Sequence, residues 1–201
     1  MTNKTKPGPY YEQPKTHKFN DEEHDMSEGF PARGIISCNK SPTEALQDFV
    51  DFKLNPSMKK MKSYIKDNKH VIQILEEANE SEIVNEGVKI VTADIDNMYG
   101  NMPLELSEWG VKQYFDNLDD DEKKLTTDEI IDALKLCQEN NVFNFEDKLY
   151  KQKKGHATGQ KQASPVAYGG AGAVERQFFD KPRDLVFDEN PHIFSRPFCK
   201  L

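Results

Sequence analysis

A strand that delivers two acids just before a turn is the feature that most constrains this fold. The run from Lys89 to Pro103 reads KIVTADIDNMYGNMP. β-Branched residues dominate its first half, as is typical of a strand, and Asp94 follows the apolar part at once. Asp96 comes two residues later, so continuing strand geometry puts both carboxylates on the same face. Such carboxylates are ligands that Mg²⁺ accepts together with substrate phosphates, and the alternative is a solvated acid at a strand end.

Length and composition limit the classes of protein to which the chain can belong. Its 201 residues are enough for one large domain or two small ones. Only 36% of the residues are hydrophobic and 31% are charged, but the 10% aromatic content argues against complete disorder. No apolar run approaches the length of a membrane span, and the N-terminus does not resemble a secretory signal. We therefore expect no membrane partner.

The cysteines predict a reducing environment. They are odd in number, far apart in the sequence and without metal-ligand spacing: Cys38, Cys137 and Cys199. Reduced thiols in an intracellular protein, in the nucleus or the cytoplasm, are the simplest interpretation.

Charge is distributed in blocks rather than evenly. The formal net charge of -8 speaks against nucleic-acid binding by the chain as a whole. Lysines nevertheless concentrate in three blocks, at residues 4–18, 53–69 and 148–161. Such blocks usually form solvated surfaces, but blocks that converge on one cleft bind a phosphate backbone.

Two helices are predicted between residues 41 and 77. The first opens on the capping box SPTE, in which Ser41 is the cap and Glu44 folds back, and it ends at Pro56. The second runs from about Ser57 to Glu77. Its expected buried side consists of Met58, Met61, Ile65, Ile72 and Leu75.

Two further helices and a hairpin are expected after the acidic stretch. One helix covers Leu104 to Leu118, with Leu106, Trp109, Val111, Tyr114 and Phe115 as candidates for burial. A polar loop, DDDEKK, leads to a second capping box, TTDE, which starts a helix at Thr126. The inner face of that helix comprises Ile130, Ile131, Leu134 and Cys137. The run NVFNFEDKLYKQ, residues 141–152, is a hairpin signal because two short aromatic runs flank a polar turn.

A segment rich in small residues follows, from Gly155 to Phe178. Gly155 and Gly159 predict a turn, and Pro165 permits a helix to begin. The small side chains that continue to Gly172 allow either a flat ligand or another backbone to approach this helix closely. Both interpretations stay open at this point.

The chain divides into three parts. Residues 1–29 form an extended N-terminal segment, first basic and then acidic; residues 30–178 hold the predicted elements; residues 179–201 form an irregular tail. A short strand is expected at Ile35 and Ile36, preceded by Arg33, which is either a surface charge or a phosphate ligand. Helices and strands in this order predict an α+β fold.

Five segments, in order, resemble the reverse transcriptases of Penelope-like retroelements. PKTHK matches the family's Pro-Lys-x-His-Lys signature, ARGIIS resembles Arg-Pro-Ile-Val-Ser, and SYIKD matches the stretch that follows. TADIDNMYGNMP resembles the catalytic motif Asp-Val-x-Ser-Leu-Tyr-x-Asn-Ile-Pro, and GHATGQKQASP resembles Gly-x-Ala-x-Gly-x-Lys-x-Ala-Pro. The segments extend from Pro14 to about Glu175. The resemblance implies the fingers and part of the palm of a right-hand polymerase, with helices packed on an antiparallel palm sheet.

The resemblance also implies roles for individual residues. Asp94 would be the catalytic, metal-binding aspartate, and the backbone carbonyl of Ile95 would support a second metal. Two Mg²⁺ ions would clamp the dNTP and activate the primer 3′-hydroxyl on an RNA template. Tyr99 would act as a gate that excludes a ribose 2′-hydroxyl. Contacts to the template or the triphosphate would come from Lys15, Arg33, Gly159, Gln160 and Lys161.

The chain departs from the family's motifs at several positions. Gly34 and Ser164 stand where the family has proline, and Asp96 stands where it has threonine or serine, so no metal role is assigned to Asp96. Residues 179–201 contain no Tyr-x-Asp-Asp motif, which supplies the remaining metal-binding acids in the family. We therefore expect a truncated reverse transcriptase, without thumb or endonuclease, that has little polymerase activity alone.

Two other classes of function remain open. The first is a non-catalytic RNA- or DNA-binding remnant of a retroelement, which would use the lysine blocks around Lys59 and Lys151. The second is a fragment that does not fold alone, because missing palm strands would leave sheet edges open.

Overall fold

A four-stranded mixed sheet and a group of packed helices make up the fold. The structure, a computed structural model, describes residues 5–16, 31–80 and 94–179. The strands are β1 (Gly8–Pro14), β2 (Ala32–Ile36), β3 (Val142–Phe145) and β4 (Lys148–Lys151). The helices are α1 (Glu44–Lys59), α2 (Asn68–Glu80), α3 (Met98–Asn101), α4 (Leu104–Phe115), α5 (Asp120–Lys123), α6 (Thr127–Glu139) and α7 (Ala163–Phe179). This mixture of helices and strands agrees with the predicted α+β class.

The sheet joins the N-terminal part of the chain to its second half. Its spatial order is β2-β1-β3-β4. β1 pairs antiparallel with β2, and β3 pairs antiparallel with β4, whereas β1 and β3 are parallel. The prediction of an antiparallel sheet is therefore wrong at the β1–β3 pair, which joins distant parts of the chain rather than two arms of a hairpin. The strand predicted before Asp94 lies outside the described residues, as do residues 17–30 and 180–201.

The β3–β4 hairpin forms where it was predicted. Its turn residues, Glu146 and Asp147, both have positive φ angles, of 49° and 59°. Two central residues with positive φ give the turn a twist that matches the twist of the flanking strands.

α1 differs from its prediction at both ends. The helix begins at Glu44 rather than near Ser41, whose hydroxyl has no hydrogen-bond partner among the described residues. The Glu44 carboxylate accepts from the N–H of Lys40 at 2.8 Å. The capping box at Ser41 is therefore wrong. The helix also continues through Pro56 to Lys59. Pro56 cannot donate a hydrogen bond to the carbonyl of Phe52, four residues earlier. Because Phe52 and Pro56 are both exposed, that carbonyl lies on the solvent side of the helix.

α2 begins at Asn68 instead of Ser57, so the second predicted helix is wrong in its start and its buried side. Asp67 sets the start, because its carboxylate accepts from the N–H of His70 at 2.9 Å in the manner of an N-cap. Residues 60–67 form turns rather than helix. This break resets the helical phase. Met58 remains buried at the end of α1, but Ile65, Ile72 and Leu75 are exposed, and the buried residues of α2 are Ile74 and Ala78.

The main hydrophobic core lies between α1, α4, α6 and α7. Its fully buried residues include Leu54, Phe115 and Val166, together with all four predicted inner residues of α6: Ile130, Ile131, Leu134 and Cys137. Among the predicted residues of α4, Val111 and Phe115 are buried, while Leu106, Trp109 and Tyr114 are half-buried. The capping box at Thr126 is confirmed, because its hydroxyl accepts from the N–H of Glu129 and the Glu129 carboxylate accepts from the N–H of Thr126. The predicted DDDEKK loop contains the short α5.

α7 packs against α4 through glycines. A Cβ atom on Gly110 of α4 would overlap the backbone of Gly169 and Gly170 in α7, so the two helices approach without an intervening side chain. The small residues of α7 therefore accommodate another backbone at this crossing, which decides between the two interpretations that the sequence left open. Pro165 lies in the first turn of α7, where its missing N–H is harmless.

Candidate functional site

The acidic segment enters the described structure as an exposed turn. Asp94 and Asp96 are exposed, and Ile95 is half-buried. Asn97 then adopts a left-handed conformation with φ of 46°, which asparagine tolerates better than most residues, and α3 begins at once. The side-chain amide of Asn101 donates to the carbonyl of Asp96 at 3.1 Å. This turn leaves both carboxylates in contact with solvent.

Tyr99 connects the acidic segment to the glycine loop, residues 155–164, through two hydrogen bonds. Its hydroxyl lies 3.0 Å from the hydroxyl of Ser164, at the start of α7. Its carbonyl accepts from the N–H of His156 at 2.7 Å. Gly155 has a positive φ of 65° and lies against the Gly100 carbonyl, where a Cβ atom would overlap. The structure therefore brings together the two motifs that carry most of the predicted site.

His156 is a buried neutral base beneath this contact. Its side chain is 2% exposed, and its Nε2 lies 2.7 Å from the hydroxyl of Ser107. The Ser107 hydroxyl also lies 3.1 Å from the carbonyl of Pro103, so it bridges the imidazole and the backbone of the preceding turn. In the described part of the chain, Nδ1 is buried and has no hydrogen-bond partner. Burial lowers the pKa of His156 from 6.5 to about 4, so the ring is neutral at physiological pH.

The three predicted residues of the glycine loop have different surroundings. Gly159 lies against the edge of β2, where a Cβ atom would overlap the carbonyl oxygen of Ile36. Gln160 is buried, and its amide donates to the carbonyl of Cys137 at 3.3 Å. A buried amide that binds a carbonyl in α6 stabilises the loop and is not directed at solvent.

Lys161 is exposed and forms an ion pair with α1. Its Nζ lies 2.6 Å from Asp48 Oδ1 and 3.6 Å from Glu44 Oε1. The hydrogen bond to Asp48 raises the pKa of Lys161 above its ordinary value. This lysine would have to exchange carboxylates for phosphate before it bound a nucleotide.

Lys15 and Arg33 lie at the far end of the β1–β2 pair. The N–H of Lys15 donates to the carbonyl of Pro31 at 2.8 Å, and the Arg33 side chain is exposed. Ile36 is the β2 residue next to the glycine loop, and Arg33 lies three strand residues before it, or roughly 10 Å away. Both residues therefore lie at the end of the strand pair that is distant from Gly159.

The sequence prediction missed the polar residues that hold the site together. His156, Ser107 and Ser164 had no predicted role, although they make three of its hydrogen bonds. The only sequence signal was Ser164 itself, which stands where the resembled family has a proline. Ser107 and His156 are 49 positions apart, and Tyr99 and Ser164 are 65 positions apart, separations that no local pattern reveals.

The described residues do not make a metal site by themselves. Residues 5–16, 31–80 and 94–179 contain no group of three His, Cys, Asp or Glu side chains that would hold a metal ion. Asp94 offers one exposed carboxylate, next to the backbone carbonyl of Ile95. Mg²⁺ is commonly bound through one or two carboxylates together with waters and substrate phosphates. Asp94 is therefore one carboxylate of the kind that Mg²⁺ accepts together with substrate phosphates.

The helices described in the structure do not include a membrane span. In residues 5–16, 31–80 and 94–179, each helix is too short or too polar to cross a bilayer. Comparison with known proteins adds no family to these observations, since no family model, no curated protein and no solved structure matches the chain.

Proposed function

We propose that this chain contributes part of a nucleotidyl-transfer site of the reverse-transcriptase type. The reaction would join a dNTP to a primer 3′-hydroxyl on an RNA template. The observation that supports the proposal is the contact of Tyr99 with Ser164 and His156, which holds the acidic segment against the glycine loop. These are two of the five segments that resemble the family.

The chemistry of such a site depends mainly on position and charge. Phosphoryl transfer needs little covalent help from the protein, so aligned groups and neutralised charge supply most of the rate enhancement. Asp94 is exposed, as a group that meets an incoming substrate must be. Mg²⁺ bound with the triphosphate would neutralise its charge.

Tyr99 would select the sugar. Its ring is half-buried, and its hydroxyl is held at 3.0 Å from Ser164, so the ring cannot swing freely away from an added 2′-hydroxyl. A fixed ring discriminates by steric exclusion, which requires rigidity more than a new hydrogen bond. Deoxynucleotides are therefore the preferred substrates in this proposal.

The proposal is tested by nucleotide binding to the chain loaded with an RNA–DNA primer–template whose next base is uracil. Titration calorimetry would compare Mg²⁺–dATP with Mg²⁺–ATP. Asp94→Asn should weaken dATP binding about tenfold, the effect of losing one charged contact of ~1.5 kcal/mol. Tyr99→Ala should bring the affinities for dATP and ATP closer, whereas Tyr99→Phe, which keeps the ring but loses its hydrogen bond to Ser164, should keep part of the difference.

Asp96→Asn is the matched control, because Asp96 is an exposed carboxylate two residues from Asp94. Equal losses in the Asp94 and Asp96 variants would show that only general charge matters. An unchanged nucleotide preference in Tyr99→Ala would remove the sugar gate from the proposal. Primer extension by the chain alone should be weak or undetectable, since one acid replaces the usual three. Robust extension that Asp94→Asn abolishes would contradict that expectation.

A non-catalytic RNA- or DNA-binding protein is the second candidate. The observation that favours it is the lack of a three-ligand acidic group in the described residues. In that case RNA binding would fall steeply with salt and would be indifferent to Asp94→Asn.

A further inference from the structure

Four aromatic rings meet on one face of the sheet. We call Tyr10 of β1, Phe143 and Phe145 of β3, and Tyr150 of β4 the aromatic face. Ring centroids are 5.7 Å apart for Tyr10 and Phe143, and 5.3 Å for Tyr10 and Phe145. Tyr150 lies 5.6 Å from Phe143, nearly parallel to it, and 6.3 Å from Phe145. The strand register explains the arrangement, because Phe143 and Tyr150 are directly opposite and Phe145 lies two residues further on the same face.

The aromatic face is anchored at one side and open at the other. Tyr10 and Phe143 pack against a small core of Ile36, Cys38 and Ala157. Phe145 and Tyr150 are 40% and 42% exposed. Large rings left half in water on a supported sheet are a surface that a partner can cover without rearranging the protein.

Lysines are concentrated along the β4 edge of this face. Lys148 lies opposite Phe145 in the register and on the same face, Lys151 lies in β4 on the opposite face, and exposed Lys153 and Lys154 follow the strand. In the part of the chain that the structure describes, none of these four lysines is in an ion pair. The nearby acids are Glu146 and Asp147 in the turn, and Glu12, which accepts a hydrogen bond from Tyr10 at 3.0 Å. Residues 148–154 themselves contain no acid, so the edge formed by β4 is basic.

We propose that the aromatic face binds unpaired nucleotides of a single-stranded RNA or DNA. The choice of partner rests on the proposed function, which requires an unpaired template. Bases would stack on the exposed rings of Phe145 and Tyr150, while Lys148 and its neighbours would contact the phosphates. A duplex does not fit, because its bases are already stacked on each other and cannot reach the rings.

The test is fluorescence anisotropy of the 201-residue chain with a labelled ten-nucleotide oligo(U) or oligo(A), compared with an RNA duplex of equal length. Single strands should bind at least tenfold more tightly than the duplex. Tyr150→Ala and Phe145→Ala should each weaken binding about 5- to 150-fold, the range measured for loss of one stacked base. Tyr150→Phe, which keeps a ring, should bind like the wild type, and Phe145→Leu, which keeps only apolar volume, should not.

Two controls separate stacking from general effects. Leu149→Ala removes a 67% exposed apolar side chain from the opposite face of the same strand and should leave the affinity unchanged within about twofold. Lys148→Ala should lower the slope of log affinity against log salt by about 0.7, whereas Lys112→Ala, which removes an exposed lysine of α4, should not.

The proposal is overturned if both ring variants bind as the wild type does, if duplex and single strand bind equally, or if the ring variants change only self-association in sedimentation. Asp94→Asn should leave this binding unchanged. A failure at the rings would therefore leave the nucleotide site untouched, and a failure of the nucleotide site would appear in the dATP titration but not here.

Discussion

Acidification should destabilise the fold through His156. The imidazole is buried, shares a hydrogen bond with Ser107 and, among the residues that the structure describes, has no carboxylate partner, so a second proton would place an unpaired charge in the interior. Burial holds the pKa of His156 at about 4, against 6.5 for an exposed histidine.

The direction and size of the effect follow from proton linkage. Above pH 7 His156 is neutral in both the folded and the unfolded chain, and it contributes no pH dependence. Below pH 6.5 the unfolded chain takes up the proton while the folded chain does not, so stability falls as the pH falls. A lowering from 6.5 to about 4 corresponds to a loss of about 2 kcal/mol at pH 5, and of at most about 3 kcal/mol once both states are protonated.

Urea unfolding, followed by circular dichroism at pH 7.5 and pH 5.0, measures this loss. His156→Gln keeps an amide that can donate to Ser107 but cannot titrate. The wild type should lose about 2 kcal/mol more than this variant between the two pH values, since all other titrating groups are shared.

Equal pH dependence in the wild type and His156→Gln would refute the reasoning. An independent measurement is the proton NMR signal of the His156 ring. It should keep the chemical shift of neutral imidazole down to about pH 5. A midpoint near 6.5 in the folded protein would show that the ring is not held neutral by its surroundings.

Two further predictions concern stability. Gly110→Ala should lower the free energy of unfolding by about 1–3 kcal/mol in urea, because the new Cβ meets the backbone of Gly169. Gly172→Ala is the control: its Cβ meets mainly the ends of side chains, so the free energy of unfolding should change by less than about 1 kcal/mol. Similar losses in the two variants would contradict the close crossing of α4 and α7. Thr126→Ala should lower the free energy of unfolding by about 1 kcal/mol, because it removes the cap of α6, and Thr126→Ser should keep the wild-type stability. An alanine variant as stable as the wild type would show that the capping box contributes nothing.

Local signals predicted the structure well where the interaction itself is local. The capping box at Thr126 involves residues three apart, and the β3–β4 hairpin closes over two residues, so the sequence contains both partners of each contact. The buried residues of α6 recur at helical spacing, so the sequence of α6 alone identifies the side that faces the core.

The failures arise where an adjacent turn, solvent exposure or a distant part of the chain decides. Pro56 is a helix breaker in isolation, but here it lies on the exposed side of α1, and the helix tolerates it. Ser41 fits a capping box, but the turn before α1 places the helix start later. The parallel pairing of β1 with β3 joins residues more than 130 positions apart, and no local periodicity reports it.

The candidate site shows the same division. Asp94 and Tyr99 stand out in the sequence because the motif around them is distinctive. The connection from Tyr99 to Ser164, and from His156 to Ser107, appears only once α4 and α7 are packed together. Lys161 was predicted as a nucleotide ligand, yet which charges surround it depends on the position of α1. Its role in nucleotide binding stays a prediction.

The crossing of Gly110 with Gly169 has a consequence for mutational tolerance. Gly110 lies six residues, or roughly 9 Å, along α4 from Leu104, and Gly169 lies five residues, or roughly 7.5 Å, along α7 from Ser164. Each helix behaves as a short rigid rod, so widening the crossing also separates the ends near Tyr99. In a library of all single substitutions, changes at Gly110 should therefore weaken the contact between Tyr99 and Ser164, because they increase the distance between α4 and α7.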